Sequence, residues 1–212
     1  MRRAFAVMLG CAALLSAVPS AAQERSDEDR PTVQRRYAVK RSSVYLHGTG
    51  TTHLRNDFYN TFGGGLDLGV YPWESLGFEL RALFLDARLS SQARYVQENT
   101  GLTPDARPQS MIATAGARWS WGYGKILALN WAVLHFDPQL VLGLGVARAE
   151  ARWLPSAVAG LGLLVHLRWG LQVKLDLNAS VQAEERTRGW VTSVGFMPLL
   201  GIGWNVRLGG RG

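Results

Sequence analysis

Between Leu171 and Gln182 the chain alternates without exception between apolar and polar residues. Leu171, Val173, Leu175, Leu177, Ala179 and Val181 fall on one parity, and Gln172, Lys174, Asp176, Asn178, Ser180 and Gln182 on the other. A helix would mix these residues around its circumference, whereas an extended strand separates them onto two faces. The same period of two recurs along the chain. Ala157 to Leu167 alternates with Val158 to Arg168, and Val194, Phe196, Pro198, Leu200, Ile202, Trp204, Val206 and Leu208 form the longest apolar parity. Further segments run over Leu140 to Ala147, Leu66 to Val70, Leu76 to Leu85 and Ala113 to Trp121. A first strand around Val44 to Thr52 carries the faintest pattern. About eight strands result.

The second parity distinguishes a membrane barrel from a soluble β-sandwich or lipocalin-like barrel. A soluble barrel presents charged residues outside and large apolar residues inside. Here the less apolar parity is mostly Gly, Ala, Ser and Asn with a few ions, which suits the crowded interior of a narrow barrel. Charged residues are 18 % of the chain and apolar residues 47 %, with 24 glycines and 8 tryptophans. Mean hydropathy is close to zero, as expected where only alternate residues face lipid. No run after the N-terminal segment is long enough for a membrane-spanning helix. In hydrocarbon every backbone N–H and C=O must be paired, so the sheet must close. The fold expected is a closed, antiparallel, up-and-down transmembrane β-barrel over residues 41–208.

The N-terminus reads as an export signal over residues 1–22. Arg2 and Arg3 precede an apolar run from Ala4 to Val18, and Pro19-Ser20-Ala21-Ala22 offers a cleavage site. The apolar run is about 15 residues, short of the roughly 20 that span a bilayer. Cys11, the single cysteine, lies within it, so the exported chain has no disulfide and no thiolate chemistry. Residues 23–40 form a polar periplasmic leader, and residues 209–212 a tail. The net charge is +7, of which Arg2 and Arg3 supply two, leaving +5 after cleavage. The bases are scattered, and export separates the chain from nucleic acid. Outer-membrane lipid and, during biogenesis, the barrel assembly machinery are the partners this implies. Surface partners would meet the outer loops.

An even strand number places both termini in the periplasm. Pro72 to Ser75 and Arg168 to Gly170 are then periplasmic turns, while Ser90 to Gln109, Glu150 to Pro155 and Glu184 to Gly189 are outer loops. Gly122 to Pro138 is too long for a simple turn and stays open between turn, strand and periplasmic insert. Trp73, Trp169 and Trp204 fall at the periplasmic rim and Trp153 and Trp190 at the outer rim, as an interfacial girdle would.

Tyr123-Gly124-Lys125, Asn130, His135-Phe136-Asp137, Leu142-Gly143-Leu144-Gly145, Gly160-Leu161-Gly162, Trp169 and Leu175-Asp176 together resemble the outer-membrane β-barrel domain family of myxobacteria and their relatives. The resemblance spans roughly Val44 to Leu208. It implies an outer-membrane barrel and no particular activity or ligand. One departure is the end Leu208-Gly209-Gly210-Arg211-Gly212, where many such barrels carry a terminal aromatic residue.

Asp67, Glu79, Arg81, Arg118, His166, Lys174 and Asp176 all share the inward parity. An eight-stranded barrel has room inside for side chains and little else, and buried charges must pair. A filling ionic network is therefore expected rather than a catalytic or transport site. The histidines His47, His53, His135 and His166 show no metal-binding spacing and no Gly-x-Ser-x-Gly elbow, and none stands beside an obvious serine. His135 and Asp137 share a face and could pair. Gly63-Gly64-Gly65 lacks the lysine and helix of a phosphate loop. The sequence thus points to no catalytic, cofactor-binding or metal residue, and to a structural or surface-interaction barrel in the bacterial outer membrane. A lipid-modifying enzyme and a narrow channel or small-ligand carrier are the alternatives.

Overall fold

The computed structural model describes residues 39–55, 58–102, 105–128, 132–186 and 189–208. The chain divides into two units, Met1–Arg35 and Arg36–Gly212. The first lies outside the described residues, and with it the export signal and most of the leader. The tail 209–212, Pro104 and Asn130 also lie outside them.

Among the described residues the strands are β1 (Ser43–Arg55), β2 (Tyr59–Tyr71), β3 (Leu76–Leu89), β4 (Gln109–Ser120), β5 (Gly124–Ala128), β6 (Ala132–Ala149), β7 (Arg152–His166), β8 (Leu171–Arg186) and β9 (Gly189–Arg207), with one α-helix, α1 (Ser91–Thr100). All pairings are antiparallel. The order β4-β3-β2-β1-β9-β8-β7-β6 closes on itself because β4 also pairs with β6. Eight strands form the cycle. The seam between β1 and β9 runs from Ser43↔Arg207 to Arg55↔Gly195. No open edge remains in the cycle, as the expected closure requires.

The alternation read in the sequence is realised strand by strand. Lys174, Asp176 and Asn178 are fully buried inside the barrel, while Leu175, Leu177 and Val181 are exposed on its outer wall. Leu144 is 73 % exposed. The polarity of a soluble protein is reversed: large apolar side chains cover the outside, and charges fill the inside.

At one end, the turn end, Pro72 to Ser75 joins β2 to β3, and a single 3-10 turn over Arg168–Gly170 joins β7 to β8. Trp169 takes a left-handed conformation there (φ 60°). The open segment Gly122 to Pro138 proves to be a hairpin. β5 pairs with the first residues of β6 from Gly124↔Phe136 to Ala128↔Ala132, and Pro138 already belongs to the barrel, opposite Leu163. At the other end, the loop end, two expectations are corrected. Glu150 to Pro155 is not a loop: Glu150 and Ala151 turn the chain, and pairing resumes at Ala149↔Arg152. Glu184 to Arg186 is likewise strand, paired out to Arg186↔Gly189. In both places cross-strand bonding outlasts the apolar alternation.

Within the long connection Ser90 to Gln109 lies α1, where a polar loop was expected. The Ser90 side chain accepts a hydrogen bond from the Ala93 amide at 3.2 Å. Gly101 ends the helix in the left-handed region (φ 70°), its amide donating to the Gln97 carbonyl.

Several inward glycines mark places where neighbouring strands press close. A Cβ on Gly65 would collide with the Ala82 carbonyl of β3, whereas one on outward Gly50 meets nothing within 4 Å. Gly65→Ala is expected to lower the urea midpoint by the equivalent of about 1–3 kcal/mol. Gly50→Ala should leave it unchanged or slightly raised. Equal effects at both positions would refute this packing.

Candidate functional site

The lumen is the candidate site, since it gathers nearly all the buried ionisable groups. Its side chains come from the inward parity of the barrel strands and stack in layers along the axis.

At the turn end a hydrogen-bonded chain begins at Lys40. Its Nζ pairs with Asp137 Oδ2 at 2.7 Å, donates to Ser120 Oγ at 2.7 Å and lies over the Tyr71 ring. Asp137 also meets His166 Nε2 at 2.8 Å. The Gln172 amide nitrogen reaches His166 Nδ1 at 3.0 Å, and its carbonyl oxygen reaches His47 Nε2 at 3.2 Å. With Gln172 donating to Nδ1, the His166 proton sits on Nε2 and is given to Asp137; His47 in turn donates to Gln172. Asp137 therefore pairs with His166 and Lys40, not with His135 as the shared face suggested. His135 instead stacks on Tyr123, with ring centroids 5.8 Å apart. The cause is register: His166 stands opposite His135 across β6 and β7, and its side chain reaches towards Asp137.

The middle layer contains three carboxylates and three cations. Arg81 donates to Asp67 (3.1 Å), Glu79 (2.7 Å) and Asp176 (2.8 Å). Arg118 grips Asp176 with both terminal nitrogens, at 2.8 and 2.7 Å, a bidentate fork. It also reaches Glu79 at 3.2 Å and, through Nε, Gln139 at 2.8 Å. Lys174 pairs with Asp67 and with Glu79. Tyr45 donates its hydroxyl to Glu79 at 2.8 Å. Six of the seven inward residues read from the sequence meet in this layer, and His166 lies in the layer below. The gap beside Glu79, Arg81 and Arg118 is about 10 Å³, close to the least that holds one water.

Above the ions lies an apolar layer of Leu83, Leu85, Ile112, Ala147, Val158, Met197 and Leu199, all buried. The loop-end layer is polar again. Arg55 pairs with Glu184 at 2.6 Å, Arg186 joins Glu184 at 3.2 Å, and Gln109 bonds Gln182. Here the structure corrects the sequence reading of the histidines. His53 meets Ser180 Oγ at 2.8 Å across 127 positions of sequence. Such a pair could in principle activate a hydroxyl, but both residues are only 1 % exposed, so substrate has no approach to it. Gly63 to Gly65 sits in the β2 wall opposite Leu85 to Leu83. Among the described residues no group of three or more His, Cys, Asp or Glu is placed to hold a metal.

Tyr45, Lys40 and the His53–Ser180 pair escaped the sequence reading. Tyr45 lies within the first strand as read and His53 one residue past it, and both follow from its parity, since 45, 47, 49, 51 and 53 share one face. Lys40, assigned to the leader, precedes the first strand, and no periodicity reaches it.

No protein family matches the chain, so the resemblance to the myxobacterial-type barrels has no family match behind it. No curated protein matches either. Among solved structures, the chain is similar to the N-terminal β-barrel domain of Pseudomonas aeruginosa OprF, with a TM-score of 0.41 and 13 % identity over 78 % of this chain and 98 % of that one.

Proposed function

We propose that this chain is a small outer-membrane β-barrel protein of the kind the myxobacterial-type family describes, with a structural or surface-interaction role and no catalysis. The observation that carries the reading is the reversed polarity: an apolar outer wall around an ion-paired interior. In water such a wall would be an aggregation surface far beyond what soluble monomers expose; in a bilayer it is the required face. The tryptophans add a second support. Trp73, Trp119, Trp121, Trp169 and Trp204 cluster towards the turn end, and Trp153 and Trp190 towards the loop end, all exposed and Trp169 93 %. Two such belts fit the two interfaces of a membrane. On this reading the turn end faces the periplasm, the chain is exported with its signal removed, and the loop end with α1 faces outwards.

The channel alternative is disfavoured by the apolar layer and the charge network, which fill the lumen between the two mouths. The enzyme alternative is disfavoured by the burial of the His53–Ser180 pair. The test is density-gradient fractionation of the cell envelope, followed by a solute-leak assay on liposomes containing the purified protein. The expected result is recovery with outer membranes and liposomes as tight to small sugars as empty ones. Recovery in the soluble periplasm would overturn the membrane reading; sugar leakage would overturn the sealed barrel.

A further inference from the structure

We propose that the outer wall over β4, β6 and β7 is a binding site for a phosphate-bearing diacyl lipid, with its phosphate on Arg148 and its acyl chains in the groove below. This rests on the membrane reading above.

The wall there is not smooth. Two cross-strand rows run around it: Leu80, Ala115, Leu144, Ala157 and Val181, and next to it Phe78, Ala117, Leu142, Ala159 and Ala179. In each row a leucine of β6 stands between two alanines. Leu142 and Leu144 thus form a ridge, with a trough on each side floored by β4 and by β7. The two troughs lie about 10 Å apart, two strand spacings. Together they make an apolar groove of about 970 Å³, at the upper end of small-molecule sites. Unfilled, its lining would lose dispersion contacts. Two hydrocarbon chains straddling the ridge restore them.

The head of the lipid is argued from the loop-end limit of the same ridge. Four residues beyond Leu144, about 13 Å along the strand, β6 turns Arg148 outwards. Its guanidinium carbon stands 5.8 Å from the centroid of Trp153, its cross-strand partner on β7. Arg148 Nε donates to the Glu150 carbonyl at 3.4 Å, and its terminal nitrogens have no hydrogen-bond partner among the described residues. The Glu150 carboxylate is engaged by Arg107 at 3.4 Å. On the adjacent strand the exposed Ser110 hydroxyl donates to the Arg148 carbonyl at 3.4 Å and can also turn outwards. A cation over a tryptophan ring, on the loop-end side of an apolar groove, complements a phosphate at the head of acyl chains.

The full chain, extracted in detergent and given equal amounts of dioleoyl phosphatidylglycerol and phosphate-free dioleoylglycerol, is examined by native mass spectrometry. The expected result is retention of the phosphate-bearing lipid over the phosphate-free one by about tenfold, the factor a single charge-assisted hydrogen bond can supply. Arg148→Gln should abolish the preference while leaving total lipid retention, and Ala157→Phe should reduce retention of both. Excess inorganic phosphate should not displace the lipid. Equal retention of the two lipids, a preference that survives Arg148→Gln, displacement by free phosphate, or a second copy of the chain in place of lipid would each overturn the site. Both variants lie on the outer wall, and their gel mobility before boiling reports folding. If the wild-type chain fails to enter vesicles at all, the membrane reading falls and takes the site with it. Insertion without selective retention sinks the site alone.

Discussion

Asp176→Leu is expected to cost the barrel about 3–5 kcal/mol, the range found when one partner of a buried ion pair is removed and the other is left. Asp176 accepts both terminal nitrogens of Arg118 and one of Arg81, with Lys174 3.9 Å away. All four side chains are at least nine-tenths buried. Leucine removes one negative charge from a set of three carboxylates and three cations, and it leaves the Arg118 fork facing hydrocarbon. The neighbouring change Leu175→Val trims one methylene from the outer wall and should alter stability by about 1 kcal/mol or less. Urea unfolding of both variants in lipid vesicles, followed by tryptophan fluorescence, gives the comparison. If the two midpoints shift alike, the network does not hold the lumen together. Asp176→Leu with Arg118→Leu should recover part of the loss, because the pair is then removed from both sides.

Leu175→Arg is the complementary experiment on the other parity of the same strand. Leu175 is 42 % exposed, with Leu163 and Leu200 as its cross-strand neighbours. Along β8 it lies four residues from the level of Trp204 and ten from that of Trp190, within the wall but nearer the turn-end belt. A guanidinium at that depth in a bilayer should cost about 2 kcal/mol, the lower end of the midplane range. Leu102→Arg, at a 66 % exposed position beyond α1, should change stability by no more than about 0.5 kcal/mol. Both positions are exposed apolar sites, so a soluble barrel would tolerate the two changes equally. The contrast separates exposure to lipid from exposure to water.

What the sequence made legible was the wall, and the reason is geometric. A period of two is a local property, so every strand from Leu66 onwards except the β5 hairpin could be placed with its faces assigned, and Glu79, Arg81, Arg118, Lys174 and Asp176 could be aimed inwards before their partners were known. The choice of partner was not legible. Whether Asp137 meets His135 or His166 depends on the register of β6 against β7. The meeting of His53 with Ser180 depends on chain segments 127 positions apart. Strand ends failed for a different reason. Near Glu150 and Arg186 the barrel continues by backbone hydrogen bonding, after the alternation of side chains has already given way to charge. α1 was signalled only by its caps, Ser90 and Gly101, with no strong apolar stripe between them, and a polar composition hid it. The apolar layer was present in the sequence as Leu83, Leu85, Met197 and Leu199 on the inward parity, yet a reading of that parity as polar passed over its meaning.

The central claim is that the apolar wall faces a bilayer around a closed, filled barrel. The most direct measurement is electrophoretic mobility of the vesicle-reconstituted protein in dodecyl sulfate, boiled and unboiled. Closure of β1 on β9, with the lumen locked by ion pairs, predicts an unboiled species that keeps its shape in detergent and runs faster than the boiled chain. A single band of unchanged mobility, from protein that stays in the aqueous fraction, would contradict the account and turn the polar parity outwards.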